Sequence, residues 1–304
     1  MSNLSGFPNL IIAGVHKAGT TSLFVYLSRH PEICASQVKE TGFFMPLRDG
    51  KPLPPLEDYQ SYFRHCRNER YVMEASPSYR YGKEAIALAL QQVCGRPKVL
   101  MILREPVDRL QSFYHHIVSK SMLKAPGKIQ AFVRKSLDQM TREGEHDYFS
   151  RGVREGCYAD FLPPWFEQFG DDLRIVFFDD LQKNPGDLMH SLWDWLEVSP
   201  PSEDGGSYSV ENKTVYVKNQ SMHKLLLKVN HHMEHFWRKH HGLKKSLRRW
   251  YYLINARKNE NAGISPELAE ELHAFYRPYN RKLAILLKEQ GYKSLPSWVG
   301  STCE

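Results

Sequence analysis

Pro8-Asn-Leu-Ile-Ile-Ala-Gly-Val-His-Lys-Ala-Gly-Thr-Thr-Ser-Leu-Phe-Val-Tyr-Leu27 reads as a buried strand, a glycine-bearing turn and a helix start. Turn amides and a helix N-terminus then converge on a small volume and favour an anion there. A Walker loop reads GxxxxGK[ST], with its lysine directly after the second glycine. Gly14 and Gly19 keep that spacing, but Thr20 follows Gly19 and the lysine comes earlier, at Lys17. The loop keeps an anion-binding backbone and moves the charge. It also loses the Lys-Ser/Thr pair whose hydroxyl holds magnesium. The expectation is a bound phosphate-like group, and not Mg-ATP.

Working outward, further strands are expected at Tyr71 to Glu74, Val99 to Leu103 and Leu173 to Phe178, beside Leu10 to Val15. Each is a short apolar run, as strands covered on both faces should be. Helical patterns fall between them. They are Thr20 to Arg29, Lys83 to Val93, Val107 to Ser121, Ile129 to Arg142, Pro185 to Trp195 capped by Asn184, and Pro266 to Glu289 capped by Ser265. Pro278 stands as a candidate interruption of the last. Strands alternating with helices predict an α/β fold, a P-loop-like central parallel sheet flanked by helices. The expected organisation is one domain over 1–304, with helical insertions at about 122–169 and 200–263 that build one side of a cleft. Ligands in such sheets gather at the carboxyl ends of the strands.

The chain has 304 residues, 41% hydrophobic and 25% charged, enough for a sizeable core. A net charge of +7 suits a polyanionic ligand, a nucleic acid or an acidic membrane surface alike. No apolar run approaches the roughly 18 residues a spanning helix needs. The N-terminus leads into the first strand with no apolar secretion segment, so the expected location is cytoplasmic. Cys34, Cys66, Cys94, Cys157 and Cys303 are scattered, odd in number and free of CxxC spacing. That argues for a reducing compartment and against a zinc site.

A second segment, Val99-Leu-Met-Ile-Leu-Arg-Glu-Pro-Val-Asp-Arg-Leu-Gln-Ser-Phe-Tyr114, delivers Arg104 to the end of a buried strand. Pro106 opens a helix that carries Ser112. An arginine fork with a serine hydroxyl suits a second phosphate. The plainer reading pairs Arg104 with Glu105 or Asp108.

Together the two segments resemble the donor-binding motifs of sulfotransferases that use 3′-phosphoadenosine 5′-phosphosulfate (PAPS). Gly14-Val-His-Lys-Ala-Gly-Thr-Thr-Ser22 resembles the family's 5′-phosphosulfate loop, and Arg104-Glu-Pro-Val-Asp-Arg-Leu-Gln-Ser112 its 3′-phosphate motif. The closer likeness is to the heparan sulfate and bacterial carbohydrate-type branch. Lys39-Glu-Thr-Gly-Phe-Phe44 and Glu74-Ala-Ser-Pro-Ser-Tyr79 resemble that branch's segments. So do Phe178-Asp-Asp-Leu181 and Phe275-Tyr-Arg-Pro-Tyr-Asn-Arg-Lys-Leu283. The resemblance implies sulfuryl transfer from PAPS to a hydroxyl, or less readily an amine, of a saccharide-like or small organic acceptor. No metal is implied.

By the same resemblance, His16, Lys17, Ala18, Gly19, Thr20, Thr21, Ser22, Arg104, Ser112 and Lys218 bind the donor. Lys17 stabilises the charge that the departing phosphate gains. Glu40 is the first candidate for the base that takes the acceptor's proton, and Glu74 the second. Where the heparan sulfate enzymes carry a lysine, this chain has Ala75, so that charge is either absent or comes from elsewhere, with His16 and Lys39 as candidates. His115 and His116 are further candidates on the acceptor side. Tyr158 and Trp165 suit either a sugar pocket or the core. The basic run from Trp237 to Tyr252 suits an anionic glycan, the donor, lipid head groups or solvent, leaving peripheral membrane contact open.

Two competing functions have less support. A P-loop kinase needs a lysine after Gly19. A nucleic-acid-binding protein, prompted by the basic charge, lacks a zinc finger, an RRM-type aromatic signature or a basic repeat.

Overall fold

Strand β1 (Leu10–Gly14) is buried along its whole length, so it needs neighbours on both edges and cover on both faces. The structure, a computed structural model, supplies them and describes residues 6–120, 122–123, 127–140, 148–201, 208, 216–217, 256–257 and 263–300. β1 pairs in parallel with β3 (Tyr71–Ala75), Leu10 opposite Met73, and with β4 (Lys98–Leu103), Leu10 opposite Lys98. β2 (Ile33–Ala35) extends one side and β5 (Leu173–Phe177) the other, giving the order β2-β3-β1-β4-β5. All pairings in this sheet are parallel, as the buried apolar runs require.

Helices fill the crossovers. α1 (Thr20–Leu27) packs on β1 and β3. Two short helices, α2 (Met45–Arg48) and α3 (Leu56–Ser61), precede β3, and α4 (Lys83–Cys94) precedes β4. α5 (Pro106–Ser119) follows β4; α6 (Ile129–Gln139), α7 (Tyr148–Arg154) and α8 (Pro163–Phe169) come before β5. After β5 run α9 (Phe178–Lys183), α10 (Pro185–Leu196) and, near the C-terminus, α11 (Pro266–Glu289).

The chain divides into two compact units. One comprises Met1–Arg109, Gly156–Asn212 and His273–Glu304; the other comprises Leu110–Glu155 and Lys213–Leu272. The first holds the five-stranded sheet. In the second, α6 and α7 approach closely: a Cβ added at Gly152 would stand 2.5 Å from Ser136 Oγ. The Ser136 hydroxyl donates to the Phe149 carbonyl and accepts from the Val153 amide at 2.9 Å, so it is satisfied although buried.

Several expectations are refined. β2 has three residues, Ile-Cys-Ala, too few to show a pattern in sequence. The last strand ends at Phe177, and Phe178 opens α9 instead. Asn184 precedes α10, but its side chain makes no capping bond there. Ser265 does cap α11, accepting the Leu268 amide at 3.4 Å, and that helix continues through Pro278. Scattered spacing also hid a pairing: Cys34 and Cys66 form a disulfide, with Cα atoms 5.7 Å apart. The pairing removes the cysteine-based argument for a reducing compartment.

Gly19 is fixed twice over. Its φ is +95°, and a Cβ there would meet Leu181 Cδ2 at 2.7 Å and Phe178 at 3.0 Å. Gly19→Ala should therefore lower the unfolding free energy by about 2 kcal/mol or more, combining a left-handed penalty with overpacking. Chemical denaturation of the two proteins checks this; equal midpoints would contradict the packing described.

Candidate active site at the first loop

The loop from Val15 to Gly19 joins β1 to α1. Lys17 (φ 68°) and Gly19 (φ 95°) both adopt the left-handed conformation. Alternating turn conformations of this kind point successive amides to one side, forming an anion-binding nest. Gly19 supplies no side-chain cap to α1, and the first turn holds no acidic residue. Nothing in that turn repels a negative group from the positive end of the helix.

The Val15 amide bonds the Ile102 carbonyl of β4 at 3.0 Å, and side-chain contacts from the ends of neighbouring strands also hold the loop and the start of α1. Arg104, at the end of β4, donates from Nη1 to the Lys17 carbonyl at 3.2 Å. His16 Nε2 lies 3.0 Å from Ser78 Oγ, just beyond β3. Lys39 Nζ donates to Thr20 Oγ1 at 3.4 Å and pairs with Glu40 Oε1 at 2.8 Å. The Ala75 amide bonds the Lys39 carbonyl at 3.1 Å, so the Lys39 backbone stands against the end of β3.

Arg104 is mostly buried. Its guanidinium lies 4.5 Å from the Phe178 ring centre and 3.7 Å from the Asp108 carboxylate. Its carbonyl accepts from the Tyr158 hydroxyl at 2.6 Å. Burial lowers its pKa, and the Asp108 charge opposes that. The plainer pairing with Asp108 and the contact with the loop therefore coexist. Arg104 Nε is buried and has no hydrogen-bond partner among the described residues, a donor left over for an anion.

The two candidate carboxylates differ sharply. The Glu40 side chain is 52% exposed, while Glu74 on β3 is wholly buried. Burial pushes the Glu74 pKa up from 4.5 to about 7; the Thr41, Tyr79 and Tyr59 hydroxyls pull against it, and the Glu40 charge adds to it. Thr41 Oγ1 donates to Glu74 Oε2 in a short bond. Neither Glu74 Oε1 nor the Tyr59 hydroxyl makes a well-formed hydrogen bond among the described residues.

His16, Lys17, Ala18, Gly19, Thr20, Thr21, Ser22, Glu40, Glu74 and Arg104 thus all belong to the first unit. Ser112, His115 and His116 lie on α5 in the second. Lys218 and the basic run 237–252 lie outside the described residues. Tyr158 (1% exposed) and Trp165 (0%) are core aromatics, and Tyr158 also supports the Arg104 backbone. The supporting roles of Ser78, Thr41, Phe178 and Arg80 were not legible in the sequence. Arg80 is buried, its Cδ 3.1 Å from a Cβ added at Gly14, and its guanidinium is 4.2 Å from the Tyr81 ring centre. Their signal was adjacency to motif residues, which spacing alone does not turn into contacts.

The family model for the sulfotransferase domain matches residues 7–285, so the chain belongs to the sulfotransferase family. Among curated relatives, a bifunctional heparan sulfate N-deacetylase/N-sulfotransferase of Drosophila melanogaster is 23% identical over 98% of this chain. A heparan sulfate glucosamine 3-O-sulfotransferase 3B1 of Mus musculus is 26% identical over 90%, and human carbohydrate sulfotransferase 15 is 22% identical over 94%. The chain spans 27%, 62% and 54% of their respective lengths. A crystal structure of a sulfotransferase from Alicyclobacillus acidocaldarius superposes with a TM-score of 0.65 at 23% identity, covering 96% of this chain and 98% of that one. The fold is thus the P-loop-like parallel sheet of this family.

The buried Glu74 has a consequence for stability. The folded chain keeps that proton up to about pH 7, whereas an ordinary glutamate releases it near 4.5. Between those values the folded state holds the extra proton, so stability falls as pH rises and levels off above about 7. Glu74→Gln should lack this fall. Melting curves of both proteins from pH 4.5 to 8 check it; parallel curves would contradict the raised value.

Proposed function

We propose that the protein transfers a sulfuryl group, in line, from PAPS to a hydroxyl of a saccharide-like acceptor. An amine or a small organic hydroxyl is the less favoured acceptor. PAPS supplies the activated sulfuryl group. The observation that carries the reading is the bond from Arg104 to the Lys17 carbonyl, which brings the two anion-binding motifs to one loop.

Lys17 and the amides from Lys17 to Thr21 hold the 5′-phosphate and take up the charge that grows on it as the bond to sulfur breaks. Thr20 and Thr21 add hydroxyl donors, and Ser22 closes the helix start. Arg104, with its unused Nε, serves the 3′-phosphate as a fork. Lys39 reaches Thr20 and supplies the charge that Ala75 lacks. Glu40 is the general base: its exposed side chain and its pairing with Lys39, which reaches Thr20, support this role. Glu74 shapes the same corner from below through Thr41. The acceptor class rests on the saccharide-directed activities that the relatives' names print.

A thermal-shift titration with adenosine 3′,5′-bisphosphate and with ATP-Mg tests the donor. At a concentration of 100 Kd the bisphosphate should stabilise the chain by about 2.7 kcal/mol. A shift with ATP-Mg alone would sink the reading.

Two substitutions test the roles. Lys17→Ala should lower kcat by roughly 10² to 10³ while leaving the far-UV spectrum intact. Glu40→Gln should lower turnover by roughly 10² to 10⁴ and leave bisphosphate affinity unchanged. Retained turnover in the second variant would move the base elsewhere, to Glu74 or a histidine.

A further inference from the structure

Cys34, His65 and Cys66 come together away from the loop. Their potential ligand atoms, both sulfurs and an imidazole nitrogen, all lie within 4.8 Å of one another. We propose that, once the disulfide is reduced, these three side chains form a site for one soft divalent cation of the zinc class. The oxidised pair closes the site, so the same residues alternate between a disulfide and a metal centre.

The geometry is close to what such a centre needs. His65 Nε2 is 3.5 Å from Cys34 Sγ and 3.9 Å from Cys66 Sγ. Tetrahedral bonds of about 2.3 Å to sulfur and about 2.1 Å to nitrogen place neighbouring ligand atoms roughly 3.6–3.8 Å apart. Both sulfur-to-nitrogen distances are thus already near their bound values. Only the two sulfurs must separate. His65 is exposed and Cys66 partly so, which leaves an entry path and room for water as a fourth ligand. His65 Nε2 now stands 3.0 Å from the Ala35 carbonyl; binding requires that nitrogen's lone pair, with the ring proton on Nδ1.

Backbone hydrogen bonds, besides the disulfide, hold the segments around the site. Ser36 bonds Met73 (2.7 Å), Gln37 bonds Tyr62 (3.1 Å) and Tyr71 bonds Glu32 (2.9 Å), all backbone to backbone. Phe63, three residues before Cys66, is 4% exposed and anchors that turn in the core.

The chemistry balances. A dithiol reductant breaks the S–S bond, delivers two electrons and two protons to the cysteine sulfurs, and leaves as its own disulfide. The cation then displaces both thiol protons to the solvent and binds two thiolates and one neutral imidazole.

Cobalt(II) is the probe, added to the full chain after reduction and removal of the reductant under argon. The reduced protein should bind one equivalent with a thiolate-to-cobalt charge-transfer band that zinc abolishes. The oxidised protein should show no band. Cys34→Ser/Cys66→Ser should remove it, and His65→Ala, which leaves both cysteines in place, should weaken cobalt binding at least about tenfold. No band in the reduced chain, or a band that survives the double substitution, would overturn the proposal. Unchanged affinity in His65→Ala would overturn the three-ligand set.

Discussion

A tight turn between a strand and a helix keeps its shape only where a neighbouring element holds its backbone. The Arg104 guanidinium does this to Lys17, reaching 3.2 Å from β4 to the loop after β1. Two adjacent parallel strands, β1 and β4, thereby end at one anchored turn on the sheet's carboxyl edge, where ligands of such sheets gather. The anchor is itself anchored: Phe178 lies under the guanidinium and the Tyr158 hydroxyl holds the Arg104 backbone. Gly19 then fits against Phe178 and Leu181 with no room for a side chain. β1, β4 and α9 thus constrain one five-residue turn from three directions.

Much of this was legible in the sequence because burial on both faces leaves a mark. The four longer strands are apolar runs, and the two glycines with an early lysine announce the turn between the first strand and its helix. Family membership followed from those motifs and their order. What stayed hidden depends on contact between distant positions. The three residues of β2 have no period to detect. Cys34 and Cys66 are 32 positions apart and meet only because β2 and the turn after α3 lie side by side. Glu40 and Glu74 look alike in sequence, yet one is exposed and the other sealed beneath Thr41, and no local pattern separates them.

That difference sets the two carboxylates apart physically. A fully buried acid with a raised pKa has little access to a substrate, but it fixes the residue above it. Glu74 holds Thr41, and Thr41 directly follows the Lys39-Glu40 pair that reaches the loop. Lys39 connects the base candidate to Thr20, so the position of either depends on the other. The serine and histidines of α5 belong to the second unit, built around the satisfied hydroxyl of Ser136.

The brevity of β2 matters for the behaviour of the protein in a crowded solution. It is the outermost member on its side of the five-stranded sheet, the position at which a long exposed strand would invite a neighbouring molecule to pair. Three residues, the first two of them buried, present too short a template for that, and the Ala35 carbonyl already faces His65 Nε2 at 3.0 Å. The same margin that carries the sulfur pair therefore also discourages one molecule from zipping onto the next.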